Sequence, residues 1–249
     1  MTMKTFQSLL DVKAKKGAGY LILIDPDKTE PATLPGFVRD ATAAGADGFL
    51  IGGSLLLSNE VDKILQLIKS STTRPVIIFP GSLFQVSPFA DAILFLLLIS
   101  GRNPDHLIGN QVIASPIIKR MGLEAISTGY MLIEAGKTTS AEYMSNTRPI
   151  PHNKADIAVA HALAAEYIGM KMLYLDAGSG ADFPVPNEMI QKIAAYCSLP
   201  IMIGGGIRTP DVAREKVKAG ASFIVTGTIN EQNSDHVLIR EFAEAVHSA

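Results

Sequence analysis

The sequence predicts an α/β fold, a (β/α)8 TIM barrel in which eight parallel strands alternate with covering helices. Three observations carry that expectation. Short apolar runs bounded by Gly, Pro or Asp recur along the chain, with amphipathic segments between them. The runs are apolar throughout instead of alternating, as in strands buried on both faces of a parallel sheet. Eight such units fit into 249 residues, a length at which such barrels commonly form one domain. No linker, repeat or low-complexity tract divides residues 1–249, so a single barrel domain is expected.

The elements follow in order. Tyr20–Ile24 is a compact apolar strand stopped by Asp25-Pro26, and a helix over Leu34–Ala46 follows it. Gly48–Gly52 is the second strand, and Leu55–Thr72 has the apolar spacing of a helix. Pro75–Phe79 and Ala92–Leu98 are the third and fourth strands. The segment between them, Pro80–Asp91, is too short and too polar for an ordinary barrel helix. Asp105–Gly122 looks helical, although Pro116 should break or kink it. A strand at Gly129–Gly136 and a helix over Asn153–Met170 make the fifth unit, and Lys171–Gly178 with Val185–Cys197 the sixth. Pro200–Gly206 is the seventh strand; its helix, Thr209–Gly220, has a Thr cap and Pro in the first turn. Ser222–Gly227 and a helix over Asp235–Ser248 close the pattern.

Composition excludes several classes of function. A net charge of -2 without a Lys/Arg block leaves no nucleic-acid surface. One cysteine, Cys197, allows no disulfide framework and suits a reducing cytoplasm. The N-terminus lacks the apolar core of a signal peptide. Ala90–Ser100, the most apolar run, falls short of the roughly 20 residues that span a bilayer. The five histidines show no ligand spacing, and one cysteine cannot complete a zinc site.

Barrel active sites lie at the C-terminal ends of the strands, and several ends here carry chemistry. Strand six ends in Asp176-Ala177-Gly178-Ser179-Gly180, strand seven in Gly204-Gly205-Gly206 and strand eight in Gly227-Thr228. Glycines leave backbone N–H groups open to close approach by a phosphate, and Ser179 and Thr228 add hydroxyls. Each glycine loop alone also fits a plain turn. Asp25 with Asp27 at the end of strand one suits a hard cation such as Mg²⁺, which takes one or two carboxylates plus substrate phosphate; a turn cap is the alternative. Ala135–Ser140 (AGKTTS) resembles the end of a nucleotide-binding loop but lacks the earlier glycine, with Met131 in its place.

The segments LIDPDK, FLIGGS, GYMLIEAGKTTSAEYMS, YLDAGSGA and IGGGIRTP together resemble the geranylgeranylglyceryl phosphate synthase family, in its longer branch found in archaea and some bacteria. The similarity runs from about Leu21 to Asn230. It implies a prenyltransferase joining sn-glycerol 1-phosphate to a long-chain prenyl diphosphate, typically geranylgeranyl, with release of diphosphate. It implies Mg²⁺ at Asp25 and Ser54, and glycerol phosphate at Tyr174, Leu175, Asp176, Ala177, Gly178, Ser179, Gly180, Gly205, Gly206, Gly227 and Thr228. Catalysis falls to Asp176, with Tyr174 beside it; the family usually has Glu where this chain has Asp176. The family's barrel is modified, with the third helix replaced by an extended segment, which matches Pro80–Asp91. The prenyl tail would need an apolar groove near strands two to four, where Phe79, Phe84 and Phe89 are either walls or ordinary core. The resemblance further implies a cytoplasmic homo-oligomer with transient membrane contact through its lipid product. The residues alone also allow an isomerase or synthase of the tryptophan or histidine pathway type, or a silent barrel that binds prenyl phosphates.

Overall fold

In the computed structural model, residues 4–227 and 236–248 are described. Eight parallel strands close into a barrel in chain order. They are β1 (Gly19–Ile24), β2 (Gly48–Ile51), β3 (Val76–Ile78), β4 (Ala92–Leu98), β5 (Glu124–Leu132), β6 (Met172–Asp176), β7 (Ile201–Gly204) and β8 (Phe223–Thr226). Closure comes where β1 pairs β8, from Gly19 beside Phe223 to Ile22 beside Thr226. The helices are α1 (Lys4–Lys16), α2 (Leu34–Ala43), α3 (Val61–Lys69), α4 (Asn110–Met121), α5 (Ser140–Ser145), α6 (Ala155–Ile168), α7 (Asn187–Tyr196), α8 (Pro210–Lys218) and α9 (His236–His247).

The expected barrel is borne out, and so is its weak unit. Between β3 and β4 the chain makes only a short 3₁₀ turn, Leu83–Gln85, in an otherwise extended strap. Other expectations shift. The third helical segment starts at Val61 and not at Leu55, because Leu55–Glu60 forms an irregular rim. There Asp27 accepts from the backbone N–H of Leu57 (2.5 Å) and Ser58 (3.2 Å). Pro116 does not end α4. It stands on the outer face, where Val112, whose carbonyl loses its intrahelical donor, is exposed to water. The fifth strand begins five residues early, at Glu124.

That early start has a reason in α1, a helix the apolar pattern did not reveal. The Glu124 carboxylate accepts from the N–H groups of Thr5 (2.8 Å) and Phe6 (2.9 Å), capping the first turn of α1. Leu9 on the same helix is fully buried in the barrel-interior cluster with Leu21, Leu50, Ile77, Leu94 and Phe223. So α1 plugs the N-terminal end of the barrel. A second cluster fills the layer between strands and helices, with Ile22, Ile51, Ile64, Ile190 and Phe242 fully or almost fully buried.

One buried carboxylate ties the two chain ends to β1. Asp47 accepts from Lys16 Nζ (2.6 Å), Tyr20 N (3.0 Å) and His247 Nε2 (2.7 Å), and its side chain has no exposed surface. Burial alone would raise its pKa, but the bonds from His247, Lys16 and Tyr20 outweigh burial and leave it below the ordinary value. A depressed folded-state pKa contributes stability above the unfolded value and loses it as pH falls through the folded one. Asp47→Asn should therefore cost about 2–4 kcal/mol at neutral pH in urea unfolding, and the deficit should shrink on acidification below the carboxylate range. An unchanged midpoint at neutral pH would show that the knot contributes nothing.

Candidate active site

At the C-terminal ends of the strands the chain encloses a cavity of about 610 Å³. One end is lined by Gly178–Ala181, Gly205–Arg208 and Gly227. Tyr130, Tyr174 and Asp176 stand at the centre. An apolar arm is walled by Leu83 and Val86 of the strap, Ile93 and Phe95 of β4, and Ala114 and Ile118 of α4. Asp25, Lys28, Gly53 and Ser54 contribute the wall at the ends of β1 and β2.

Strand alternation explains the centre. Tyr174 and Asp176 point into the barrel from β6, whereas Leu175 and Ala177 are buried in the outer layer against the helices. Of the expected glycerol phosphate residues, Leu175 and Ala177 thus show the cavity no side chain, and the Ala177 N–H is spent on Gly204 O (3.0 Å). Thr228 lies outside the described residues. The others, Gly178, Ser179, Gly180, Gly205, Gly206 and Gly227, all line the cavity.

The glycines there are sterically required. At Gly205, φ is +81° and a Cβ would sit 2.6 Å from Gly178 N. At Gly204 a Cβ would meet the Tyr174 hydroxyl at 2.3 Å, so the missing side chain makes room for the ring. Thr139, from the AGKTTS loop, fills the space beside Gly178 and caps α5 by accepting from Glu142 N (3.3 Å). Lys137 in the same loop is half-exposed and paired with Asp182 at 3.3 Å.

Asp176 is the one carboxylate buried at the centre. Its Oδ2 accepts from the Tyr130 hydroxyl (2.6 Å) and its Oδ1 from Gly178 N (2.7 Å). Burial raises its pKa, and these two bonds offset part of the rise, which makes it a stronger base than a solvated carboxylate. Burial and the Asp176 charge push Tyr130 and Tyr174 well above the ordinary phenol value, so both remain protonated donors. Phe79, Tyr130 and Tyr174 form an aromatic cluster with ring centroids 4.9–5.8 Å apart.

Asp25 and Ser54 both face the cavity. Asp25 Oδ1 accepts from Asp27 N (3.1 Å), and its Oδ2 lies 3.0 Å from Lys28 Nζ. Asp27 turns away to Leu57 and Ser58. Among the described residues no group of three or more His, Cys, Asp or Glu gathers to cage a metal. A carboxylate and a hydroxyl fit a hard ion that takes its remaining ligands from substrate phosphate and water.

Tyr130, Gln111 and Gln85, in or beside the site, were among the residues that escaped the sequence. Tyr130 pairs in register with Tyr174, and a Tyr heading the apolar run Tyr130–Ile133 was the available signal. Gln85, 2% exposed, donates to Gly53 O (2.8 Å) and accepts from Gly81 N (3.1 Å), fastening the strap to the loop after β2. Gln111 donates to Leu96 O (2.5 Å) and His106 O (3.2 Å), holding a π-helical turn, Asp105–Gly109, ahead of α4. Neither glutamine had a local signal. Of the candidate groove aromatics only Phe79 lines the cavity; Phe84 is 94% exposed and Phe89 lies at the surface as well.

Residues 10–246 match the model of the PcrB family. The chain belongs to the PcrB family. The geranylgeranylglyceryl phosphate synthase of Chitinophaga pinensis is 47% identical, covering 100% of this chain and 98% of its own. That of Korarchaeum cryptofilum is 42% identical, covering 91% and 93%. The crystal structure of (S)-3-O-geranylgeranylglyceryl phosphate synthase from Thermoplasma acidophilum, in complex with substrate sn-glycerol-1-phosphate, superposes with a TM-score of 0.93 at 32% identity over the full length of both chains. The family resemblance, bacterial and archaeal, is therefore borne out.

Because the Tyr130 hydroxyl lowers the Asp176 pKa, Tyr130→Phe should move the acid limb of the kcat/KM profile to higher pH. A limb that stays in place, measured across the acid range with sn-glycerol 1-phosphate subsaturating, would detach Tyr130 from the titrating group.

Proposed function

We propose that this chain is a prenyltransferase that joins sn-glycerol 1-phosphate to a long-chain prenyl diphosphate, geranylgeranyl diphosphate foremost, giving a prenylglyceryl phosphate ether and diphosphate. The observation that carries this is the buried Asp176 carboxylate, set where the glycine-lined end of the cavity meets its apolar arm.

The backbone at Ser179–Gly180 and Gly205–Gly206, with the Ser179 hydroxyl, holds the glycerol phosphate. This leaves a glycerol hydroxyl toward Asp176. The prenyl tail lies in the arm along Val86, Phe95 and Ala114, whose apolar walls exclude water from the allylic carbon. When the allylic C–O bond breaks, its electron pair leaves with the diphosphate. The glycerol oxygen forms the new C–O bond and passes its proton to Asp176. Phe79 and Tyr174, which both line the cavity, supply aromatic groups that tolerate developing positive charge. Magnesium held by the Asp25 carboxylate and the Ser54 hydroxyl would neutralise charge on the diphosphate.

No helix among the described residues is long and apolar enough to cross a membrane. Separately, the family resemblance carries the reading of a cytoplasmic homo-oligomer that touches a membrane only to deliver its lipid-like product.

Purified protein supplied with Mg²⁺, labelled sn-glycerol 1-phosphate and prenyl diphosphates of graded length should yield a prenyl ether detectable by mass spectrometry. Absence of product at every length would sink the proposal. Asp176→Ala should lower kcat by about 10²–10⁴-fold, the usual worth of a general base, and Asp176→Glu should keep or raise it; full activity in the alanine variant would remove Asp176 from the reaction. Asp25→Ala should abolish magnesium-dependent turnover, and unaltered turnover would take Asp25 out of the metal site.

A further inference from the structure

Two substrates of the proposed reaction are anions, and among the described residues lining the cavity the permanent cations are Lys28 and Arg208. Their places differ. Arg208 is bound to loop six, with Nη2 on Ala181 O (2.7 Å) and Nη1 on Asp182 O (3.2 Å), at the glycine-lined end. Lys28 follows β1, on the far side of β8 from Arg208, its Nζ 3.0 Å from Asp25 Oδ2.

The backbone under Lys28 is tightly set. Pro26–Lys28 form a 3₁₀ turn over buried Pro26. The Asp25 carbonyl accepts from Lys28 N (3.1 Å) and from the Thr29 hydroxyl (2.8 Å). The side chain itself is 51% exposed, and an ion pair so exposed contributes little to stability. Of the four residues Asp25–Lys28, the two that face the cavity are therefore a carboxylate suited to a divalent ion and an ammonium beside it. A diphosphate carries more negative charge than one divalent ion neutralises. An ammonium next to that ion's carboxylate meets the excess with a charge-assisted hydrogen bond.

We propose that Lys28 binds the diphosphate group of the prenyl substrate, donating from Nζ to a phosphate oxygen on the Asp25 side of the cavity. This assignment rests on the prenyltransferase function above. The same contact persists as the C–O bond breaks and the diphosphate gains its electron pair, so Lys28 also holds the leaving group.

The test is calorimetric titration of inorganic diphosphate, in magnesium buffer, into the full-length protein and into its Lys28→Met and Lys28→Arg variants. Lys28→Met should weaken diphosphate binding by about tenfold or more, the worth of a hydrogen bond to a charged group. Lys28→Arg should stay within about threefold of the parent, because the charge is kept. Affinity for sn-glycerol 1-phosphate should be the same in all three. Equal diphosphate affinity in Lys28→Met and the parent overturns the assignment, while ether formation by the parent leaves the prenyltransferase function standing. Parallel loss of both affinities would make Lys28 a structural residue and overturn it as well. A parent that neither binds diphosphate nor forms ether overturns both.

Discussion

The open side of this barrel depends on the side-chain amide of Gln85. β3 is three residues long and meets β4 only at Ile77–Ala92 and Ile78–Ile93, whereas β4 pairs β5 over seven residues up to Leu98–Tyr130. Above Ile93, β4 has no ladder partner in β3, and the strap stands where a barrel helix would follow β3. Gln85 replaces that missing structure with three hydrogen bonds, to Gly53 N, Gly53 O and Gly81 N, at 3.4, 2.8 and 3.1 Å. Both halves of a buried amide are thereby satisfied, which burial demands. The consequence reaches both ends of the site. Gly53 carries Ser54 and lies against Asp25, while the strap that Gln85 anchors supplies Leu83 and Val86 to the apolar arm.

The two carboxylates that face the cavity are separated by environment. Asp176 is buried, its charge compensated only by a phenol and one backbone N–H, and its pKa rises. That arrangement suits taking up a proton. Asp25 is partly exposed, beside an ammonium, and keeps oxygen lone pairs toward the cavity. A side chain of the same type can thus accept a proton at one wall and hold a cation at the other, as happens wherever neighbouring carboxylates are set in unlike surroundings. The ring of Tyr130, whose hydroxyl binds Asp176, packs against Tyr174 and Phe79 and adds to the burial of that carboxylate.

What could be read in the sequence follows from the range of each interaction. The strands were legible because burial on both faces writes an uninterrupted apolar run into five or six residues. The glycine loops were legible because a missing side chain is itself written in the sequence, although the atoms that require it at Gly204 and Gly205 belong to Tyr174 and Gly178 on the neighbouring strand and loop. Contacts between distant residues left no such trace. Glu124 caps a helix 119 residues away, Tyr130 reaches Asp176 across 46, and Asp47 meets His247 across 200. α1 was missed for that reason: its value lies in Leu9 and in the Glu124 cap, not in its own pattern. Phe84 failed as a groove residue for a related reason, since an extended strap does not fix which face each side chain shows.

A packed barrel also explains why the third helix had to go. The interior below the site is filled by Leu21, Leu50, Ile77, Leu94 and Phe223, and Leu9 of α1 seals the far end. Such layers leave no pore, so the tail of the proposed prenyl substrate cannot descend along the barrel axis. Upward lies the solvent, where an apolar chain gains nothing. The remaining direction is sideways through the wall, and a complete ring of helices would block it. Removing one helix opens that wall but exposes the edge of β4 and its polar backbone. Gln111 answers part of this cost by donating to Leu96 O, and Ala114 and Ile118 of the same helix turn apolar groups to the arm. The absent helix, the buried Gln85 and the amide of Gln111 are thus three parts of one solution: a lateral channel in a fold whose centre must stay filled.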